Sequence, residues 1–283
     1  MDTIALVDLY PDENERVVAH EVRRAGGGPA AVASVALSRL GVRTAIVGTI
    51  GDDADGAQVM AIFAHEGVDT RGVSIGVSAT SGSVIVASKE HSARAISTRQ
   101  PVVQAPIDEA AKKLIAGAQW VHVDHVGIKR LDEAGITRGK SPQISFDAGY
   151  GVESFDPIVV DLFVPTDRQM ALRYPGIDLA VALENDSLKA GNTVVATQGS
   201  AGSAAFSPET GLVTAPGFKI EVTSTLGAGD VFHGALVAQL IQGHSLQEAL
   251  RRANAVAALS CRGLDGQSMI PTTTELDAYL EAH

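Results

Sequence analysis

The chain has 283 residues, 45% of them hydrophobic and 19% charged, which allows a sizeable core and excludes wholesale disorder. Its 22 basic and 33 acidic side chains leave a net charge of −11, which argues against a nucleic-acid or anionic-membrane surface but not against a local basic pocket. One cysteine, Cys261, excludes an intrachain disulfide and fits a reducing cytoplasm; no apolar run approaches the ~18 residues of a membrane helix, and the start lacks the basic region of a secretory signal.

The first segment, Asp2-Thr3-Ile4-Ala5, begins abruptly where a buried strand should already be under way. A parallel sheet usually opens with about 5–6 apolar residues. The expectation is therefore that the natural start lies upstream of Met1 and that the first strand of the main sheet is missing. Val17–Ala25 and Val73–Ser97 interleave small or polar residues with β-branched ones and have no helix between their strand-like runs. They predict antiparallel strands of a small sheet, inserted near 15–25 and 72–98, that serves as a lid, a dimer surface, or both. Pro29–Leu40 predicts a helix, Thr44–Val47 a strand, and Asp53–Glu66 and Ile107–Ala116 helices. Trp120–Val123, Ile144–Phe146, Val159–Val164 and Thr193–Thr197 predict strands, and Ala228–Gln242, Leu246–Cys261 and Thr273–Glu281 helices. This alternation predicts an α/β fold: a doubly wound, mostly parallel sheet flanked by helices, with a small antiparallel β lid. Ligands of such sheets bind at the carboxyl ends of the strands. No linker or repeat divides the chain, so 1–283 reads as one domain.

Residues 224–236, Ser-Thr-Leu-Gly-Ala-Gly-Asp-Val-Phe-His-Gly-Ala-Leu, carry the strongest chemical signal. A Gly-Ala-Gly turn runs into an apolar helical pattern with an acid, Asp230, at the junction. The first helical turn has backbone N–H groups without internal partners, and the small residues Gly227, Ala228 and Gly229 let an anion approach them. Asp230 is then a carboxylate beside an anion hole, the arrangement that takes a proton from an alcohol while a phosphate is held close by.

Two further strings precede it in order: Gly26-Gly27-Gly28-Pro29-Ala30-Ala31, followed by Leu40-Gly41 and Val47-Gly48-Thr49-Ile50-Gly51-Asp52-Asp53-Ala54-Asp55-Gly56, and Thr197-Gln198-Gly199-Ser200-Ala201-Gly202. Together the three are similar to the signatures of the ribokinase-like (PfkB) carbohydrate kinases, over nearly the whole chain. The resemblance implies ATP-dependent transfer of the γ-phosphoryl group to a sugar hydroxyl, with ATP and Mg²⁺ as cofactors. It implies Asp230 as general base and Gly227, Ala228 and Gly229 as the anion hole. Thr197, Gly199 and Gly202 would line the nucleotide's phosphates and ribose, and Asn254 with Ala255 to Ala258, Ala257 among them, would pack on the adenine. Asp2 would bond sugar hydroxyls, and Gly26, Gly27 and Gly28 would let the sugar approach the backbone. A cytoplasmic homodimer joined through the β lid is also implied.

The chain departs from the family at four places. Ser224 stands where an Asp helps hold a monovalent cation, which makes potassium activation doubtful. Ala31 stands in the slot of a sugar-contacting Asn. Thr166-Asp167-Arg168-Gln169 replaces the Asn-x-x-Glu that supports magnesium through water, and the first strand is absent. The glycine strings look like those of bacterial sulfofructose kinases, which extends the expected acceptor to 6-deoxy-6-sulfofructose or a related ketose or sugar acid. Arg23 and Arg24 are candidates for its anionic group, or else a solvated face of a lid strand. A nucleoside kinase and a catalytically silent sugar- or nucleotide-binding protein are the alternatives.

Gly135–Ser141 resembles a phosphate-binding loop but is one residue short between its glycines, and Pro142 follows at once, so it reads as an ordinary turn. His122-Val123-Asp124-His125 invites a zinc reading. Alternation puts His122 and Asp124 on one face and His125 on the other, with no further ligands at useful spacing, so no metal site is expected. Asp124 or His125 at this strand end would instead touch substrate, or a histidine would be structural. Cys261, in a small-residue helix, reads as a buried thiol.

Overall fold

The computed structural model describes residues 1–90, 93–99, 101–149 and 154–283; positions 91 and 92 of the expected lid segment fall outside them. The chain opens with a strand, β1 (Asp2–Val7), followed by β2 (Glu21–Ala25) and α1 (Pro29–Arg39). The next elements are β3 (Ala45–Gly51), α2 (Ala54–His65), β4 (Asp69–Gly76), β5 (Ser83–Ser88), β6 (Ala93–Thr98) and α3 (Glu109–Ala116). The middle of the chain holds β7 (Trp120–Val123), one helical turn α4 (Leu131–Ala134), β8 (Gln143–Asp147), β9 (Leu162–Val164), α5 (Asp167–Arg173), α6 (Leu179–Ala190) and β10 (Thr193–Thr197). A hairpin β11 (Gly202–Ser207)–β12 (Gly211–Pro216) leads to α7 (Ala228–Ile241), α8 (Leu246–Ser260) and α9 (Thr273–Ala282).

Among the described residues, six strands form the main sheet in the order β12-β11-β10-β9-β8-β7. β7 to β10 run parallel, and the β11–β12 hairpin adds two antiparallel strands at one edge. The parallel strands are near-continuous apolar runs because helices cover both faces: Ile144, Phe146, Leu162, Phe163, Val194 and Val195 are fully buried or nearly so. One face packs on α1, α7, α8 and α9 through Val35, Leu40, Leu236, Leu250 and Leu276. The other packs on α6 and its surroundings through Met170, Ala182 and Leu183. β3 and β4 pair parallel as a separate two-stranded piece. Residues of β3 and of β7 line the same cavity of 1660 Å³.

The lid is a four-stranded sheet of order β2-β1-β5-β6. Three findings correct the expected lid. β1, read as the abrupt start of a buried main-sheet strand, sits inside the lid, with Ile4 opposite Arg23 and beside Ile85. It runs parallel to β5, so the lid is mixed and not purely antiparallel. The front of Val73–Ser97 belongs to β4, because its alternation continues the pairing of Thr49 with Ser74 and Ile50 with Ile75. The inner lid face, Ile4, Leu6, Ile85 and Ala87, packs on Leu264 and Leu226, directly beside the Gly227 turn. Asp53 caps α2 by accepting from the Gly56 N–H at 2.8 Å and also takes the Thr80 hydroxyl and N–H at 2.6 and 2.8 Å, tying α2 to the base of the lid.

The two helices that open toward the lid touch backbone to backbone. A Cβ at Gly234 of α7 would lie 2.4 Å from the Ala33 carbonyl oxygen and 2.9 Å from its Cα. Gly234→Ala therefore has to push α7 off α1, and overpacking of this kind costs about 1–3 kcal/mol. Urea unfolding should show a midpoint lowered accordingly, with turnover reduced as well; unchanged stability and turnover would mean that the helix contact is not a constraint.

Candidate active site

α7 begins without a side-chain cap. Its N-cap, Gly227, has φ 73, a left-handed conformation that favours glycine, and it packs 3.4 Å (by an ideal Cβ) from the Gly266 backbone. The first-turn amides therefore remain available to an anion. Gly227, Gly229 and Asp230 line the cavity with Asp2, Gly27, Gly28, Asp124, Thr197, Arg94, His122, Asp147 and His233. The lid strands β1 and β6 thus face the start of α7 across one cleft.

Asp230 is half-buried; desolvation first, then the negative charge of Asp147, push its carboxyl up to about 7. Asp147, the last residue of β8, is in hydrogen-bonding contact with Asp230. On its other side Asp147 Oδ2 lies 2.8 Å from His233 Nδ1, both side chains 6% exposed. His233 Nδ1 is off the line of a well-aligned donor, so the contact is an ion pair more than a directed hydrogen bond. Burial alone would raise Asp147, but the imidazolium and its bond pull it below the usual carboxylate range. Burial alone would lower His233, but Asp147 raises it. His122 on β7 lies 5.8 Å from His233 between ring centroids. Its Nδ1 meets the Ser145 hydroxyl at 3.1 Å, its Nε2 has no partner among the described residues, and burial, then the charge of His233, lower it to about 4.

The His122, Asp147 and His233 donor atoms lie within 4.8 Å of one another, the one such cluster among the described residues. Two imidazoles and one carboxylate do not suit Mg²⁺, which takes oxygen ligands. Thr166 and Gln169 offer no carboxylate either. They form the capping box of α5, and Gln169 Nε2 also donates to the Ala148 carbonyl. These residues do not fit a protein-held magnesium ion, and no step below is assigned to one.

The other expected site residues fall as follows. A Cβ at Gly27 would meet Asp2 Oδ2 at 2.0 Å, and one at Gly26 would meet Gln267 at 2.9 Å. These glycines thus make room for the chain's own side chains, and Gly26 is outside the cleft lining. Asp124 lines the cleft, but its Oδ1 accepts the Val126 and Gly127 N–H groups, both at 2.9 Å, and so also shapes the turn after β7. Arg23 is held by Asp265 at 3.0 Å and Glu21 at 2.7 Å, and Arg24 pairs with Asp55; neither lines the cleft. The basic side chain over the site is Arg94 on β6, whose Nη1 donates to the Thr225 hydroxyl at 3.1 Å. Gly199, Gly202, Asn254 and Ala257 lie outside that cleft. Asn254 donates to the Ala215 and Pro216 carbonyls at 2.9 and 3.2 Å, and Pro216 pairs with Gly202, so these two expected nucleotide residues adjoin one strand end. Ser224 accepts the Leu226 N–H at 3.1 Å and brings no carboxylate to the turn. Gly135 ends α4 in a left-handed conformation, as a turn should.

Missed from the sequence were Asp147, His233 and Arg94. His233 stands three residues after Asp230, on the same helical face, and Asp147 is an acid at the carboxyl end of a buried strand. No helix among the described residues is long and apolar enough to cross a membrane.

The chain matches the pfkB family carbohydrate kinases over residues 1–273. The ATP-dependent ribose-1-phosphate kinase of Halopiger xanaduensis is 28% identical, over 99% of this chain and 94% of its own. Among solved structures, ribokinase from Cryptococcus neoformans in complex with ADP shares the fold with a TM-score of 0.80 at 20% identity, covering 98% of this chain and 96% of that one. The Burkholderia thailandensis nucleoside kinase in complex with inosine gives 0.78 at 20%, covering 99% and 95%. With the glycine turn, the acid behind it and the lid facing both, this match across nearly the whole sequence means that the chain belongs to the pfkB family of carbohydrate kinases, which transfer a phosphoryl group to a sugar hydroxyl.

Proposed function

We propose that this enzyme uses ATP to phosphorylate a hydroxyl of a sugar that carries an anionic substituent, with Asp230 as general base. The observation that carries the reading is the start of α7, where an uncapped helical turn and a half-buried carboxyl open onto one cleft beneath the lid. Asp230 accepts the acceptor's hydroxyl proton as the new O–Pγ bond forms, and ADP departs with the electrons of the broken Pγ–O bond. The amides of Gly229 and Asp230, with Gly227 and Ala228 shaping their approach, hold the charge that develops on the phosphoryl oxygens. Asp2, beside Gly27 and Gly28, binds sugar hydroxyls from the lid side. Thr197, Gly199, Gly202, Asn254 and Ala257 take the nucleotide. Magnesium accompanying the triphosphate would neutralise phosphate charge without a carboxylate from Thr166 or Gln169. The neutral Ser224 supports turnover that is indifferent to potassium.

The anionic substituent is the finer part of the reading. Arg23 and Arg24 are committed to carboxylates, whereas among the described residues Arg94 holds only a neutral hydroxyl at the cleft. A sulfonate, as in 6-deoxy-6-sulfofructose, a phosphate ester or a sugar-acid carboxylate would each suit it. The name of the Halopiger relative, a kinase of an already phosphorylated ribose, agrees.

An ATP-consumption screen over neutral, phosphorylated, carboxylated and sulfonated sugars and over nucleosides tests this. Asp230→Asn should lower turnover by about 10²–10⁴ with ATP affinity unchanged in calorimetry; a mutant as active as wild type overturns the base assignment. Arg94→Gln should raise KM for the anionic acceptor by about tenfold, roughly the worth of one charge-assisted bond, and leave neutral sugars unaffected. Turnover of nucleosides alone would favour the nucleoside kinase, and tight ATP binding with no turnover the silent binding protein. The outer lid face exposes Val22 and Val84, which supports the homodimer through this sheet. Sedimentation should give a dimer that Val84→Lys splits, and a monomeric wild type would exclude it.

A further inference from the structure

Three ionisable side chains from two elements form a chain at the cleft: Asp230 and His233 on α7 and Asp147 at the end of β8, with Asp147 and His233 buried and Asp230 half-buried. Asp147 is in hydrogen-bonding contact with Asp230 and lies 2.8 Å from the His233 imidazole. The turn between Asp230 and His233 fixes their spacing, and Asp147 bridges them from the sheet. Two carboxyl groups in contact cannot both ionise cheaply, and a buried imidazolium is the group that would hold the inner one as a carboxylate. Nothing in the reaction described above needs Asp147 or His233 to touch the acceptor.

We propose that Asp147, clamped by His233, is a positioning residue for Asp230: the two carboxyl groups form a pair that receives the acceptor's proton and shares it. The inference rests on Asp230 being the base. Before transfer both carboxylates are ionised and repel each other. When the acceptor's O–H bond breaks, its proton goes to an Asp230 oxygen, and the new O–H donates to the Asp147 carboxylate. Repulsion becomes a hydrogen bond at the moment the hydroxyl attacks, so the pair favours the transition state over the ground state. The proton stays in the pair until the product leaves, and no outside acid or base is needed.

Other charged groups face the pair. Arg94 reaches over from β6, and its charge favours ionised Asp230. His122 from β7 stays neutral beside His233, and Asp124, after β7, acts on His122. Asp2 lines the same cleft from β1. Of these, Asp147 alone is a carboxyl in contact with Asp230, so its removal should have the largest effect.

The test is a carboxyl-carbon NMR titration of the ligand-free enzyme labelled at aspartate, with Asp230 identified by the signal lost in Asp230→Asn. Asp147→Asn removes the neighbouring charge and should lower the Asp230 midpoint by about one pH unit or more. His233→Gln removes the cation and should raise it. Opposite movements support the proposal. Midpoints unmoved in both variants overturn it and leave Asp147–His233 as a structural ion pair. If Asp147→Asn does not fold, the rise or constancy in His233→Gln decides in the same way. Turnover of Asp230→Asn separates the two layers: an active mutant refutes the base assignment, whereas an inactive mutant with unmoved midpoints refutes only the positioning role.

Discussion

The site depends on how closely α7 can lie against α1. Gly234 lets the Ala33 backbone come to a distance that no side chain would allow, and the starts of both helices then open onto one cleft. The start of α1 brings Gly27 and Gly28, with Asp2 seated in the space that Gly27 leaves. The start of α7 brings Gly227, its amides and Asp230. Gly266 repeats the device on the far side, where a Cβ would meet the Leu226 carbonyl oxygen at 2.4 Å. The lid packs on Leu226 and Leu264 next to this turn, so helix contact, turn and lid form one mechanical unit.

The electrostatics of that unit pull in opposite directions. The positive end of α7 favours an anion, yet burial and the charge of Asp147 hold Asp230 near neutrality at about 7. A general base works best when its affinity for protons matches the working pH, and here desolvation and Asp147 raise it there against the lowering charges of His233 and Arg94. Burial lowers both histidines, taking His122 to about 4, but the Asp147 carboxylate raises His233 above the usual imidazole value. Two histidines 5.8 Å apart thus differ because one faces a carboxylate and the other a serine hydroxyl.

Much of this was legible in the sequence where local chemistry decides. Pro29 at the first position of α1, Asp53 as the cap of α2 and the glycine turn before Asp230 each mark their helices. The segments that misled are those whose pairing is set by distant residues. Asp2–Val7 looks like the end of a main-sheet strand, but Ile85 and Leu264 draw it into the lid. Val73–Gly76 alternates like a lid strand, but β3 claims it. The β11–β12 hairpin and the helices α5 and α6 went unread. Gly202-Ser203-Ala204-Ala205 has little β-branching, and Leu179–Ala190 mixes apolar and charged residues without a clean stripe. At the site, motif positions could be read and their companions could not. Arg24 looked as available as Arg94 until Asp55 was seen to hold it.

The central claim is that the phosphoryl group and the acceptor meet at the start of α7. A crystal structure with a non-hydrolysable ATP analogue and the accepted sugar tests it most directly. The account predicts the terminal phosphate on the amides of Gly229 and Asp230, and the reacting hydroxyl on the Asp230 carboxyl, both within about 3 Å. A terminal phosphate bound elsewhere, or a sugar whose reacting hydroxyl points away from Asp230, would contradict it.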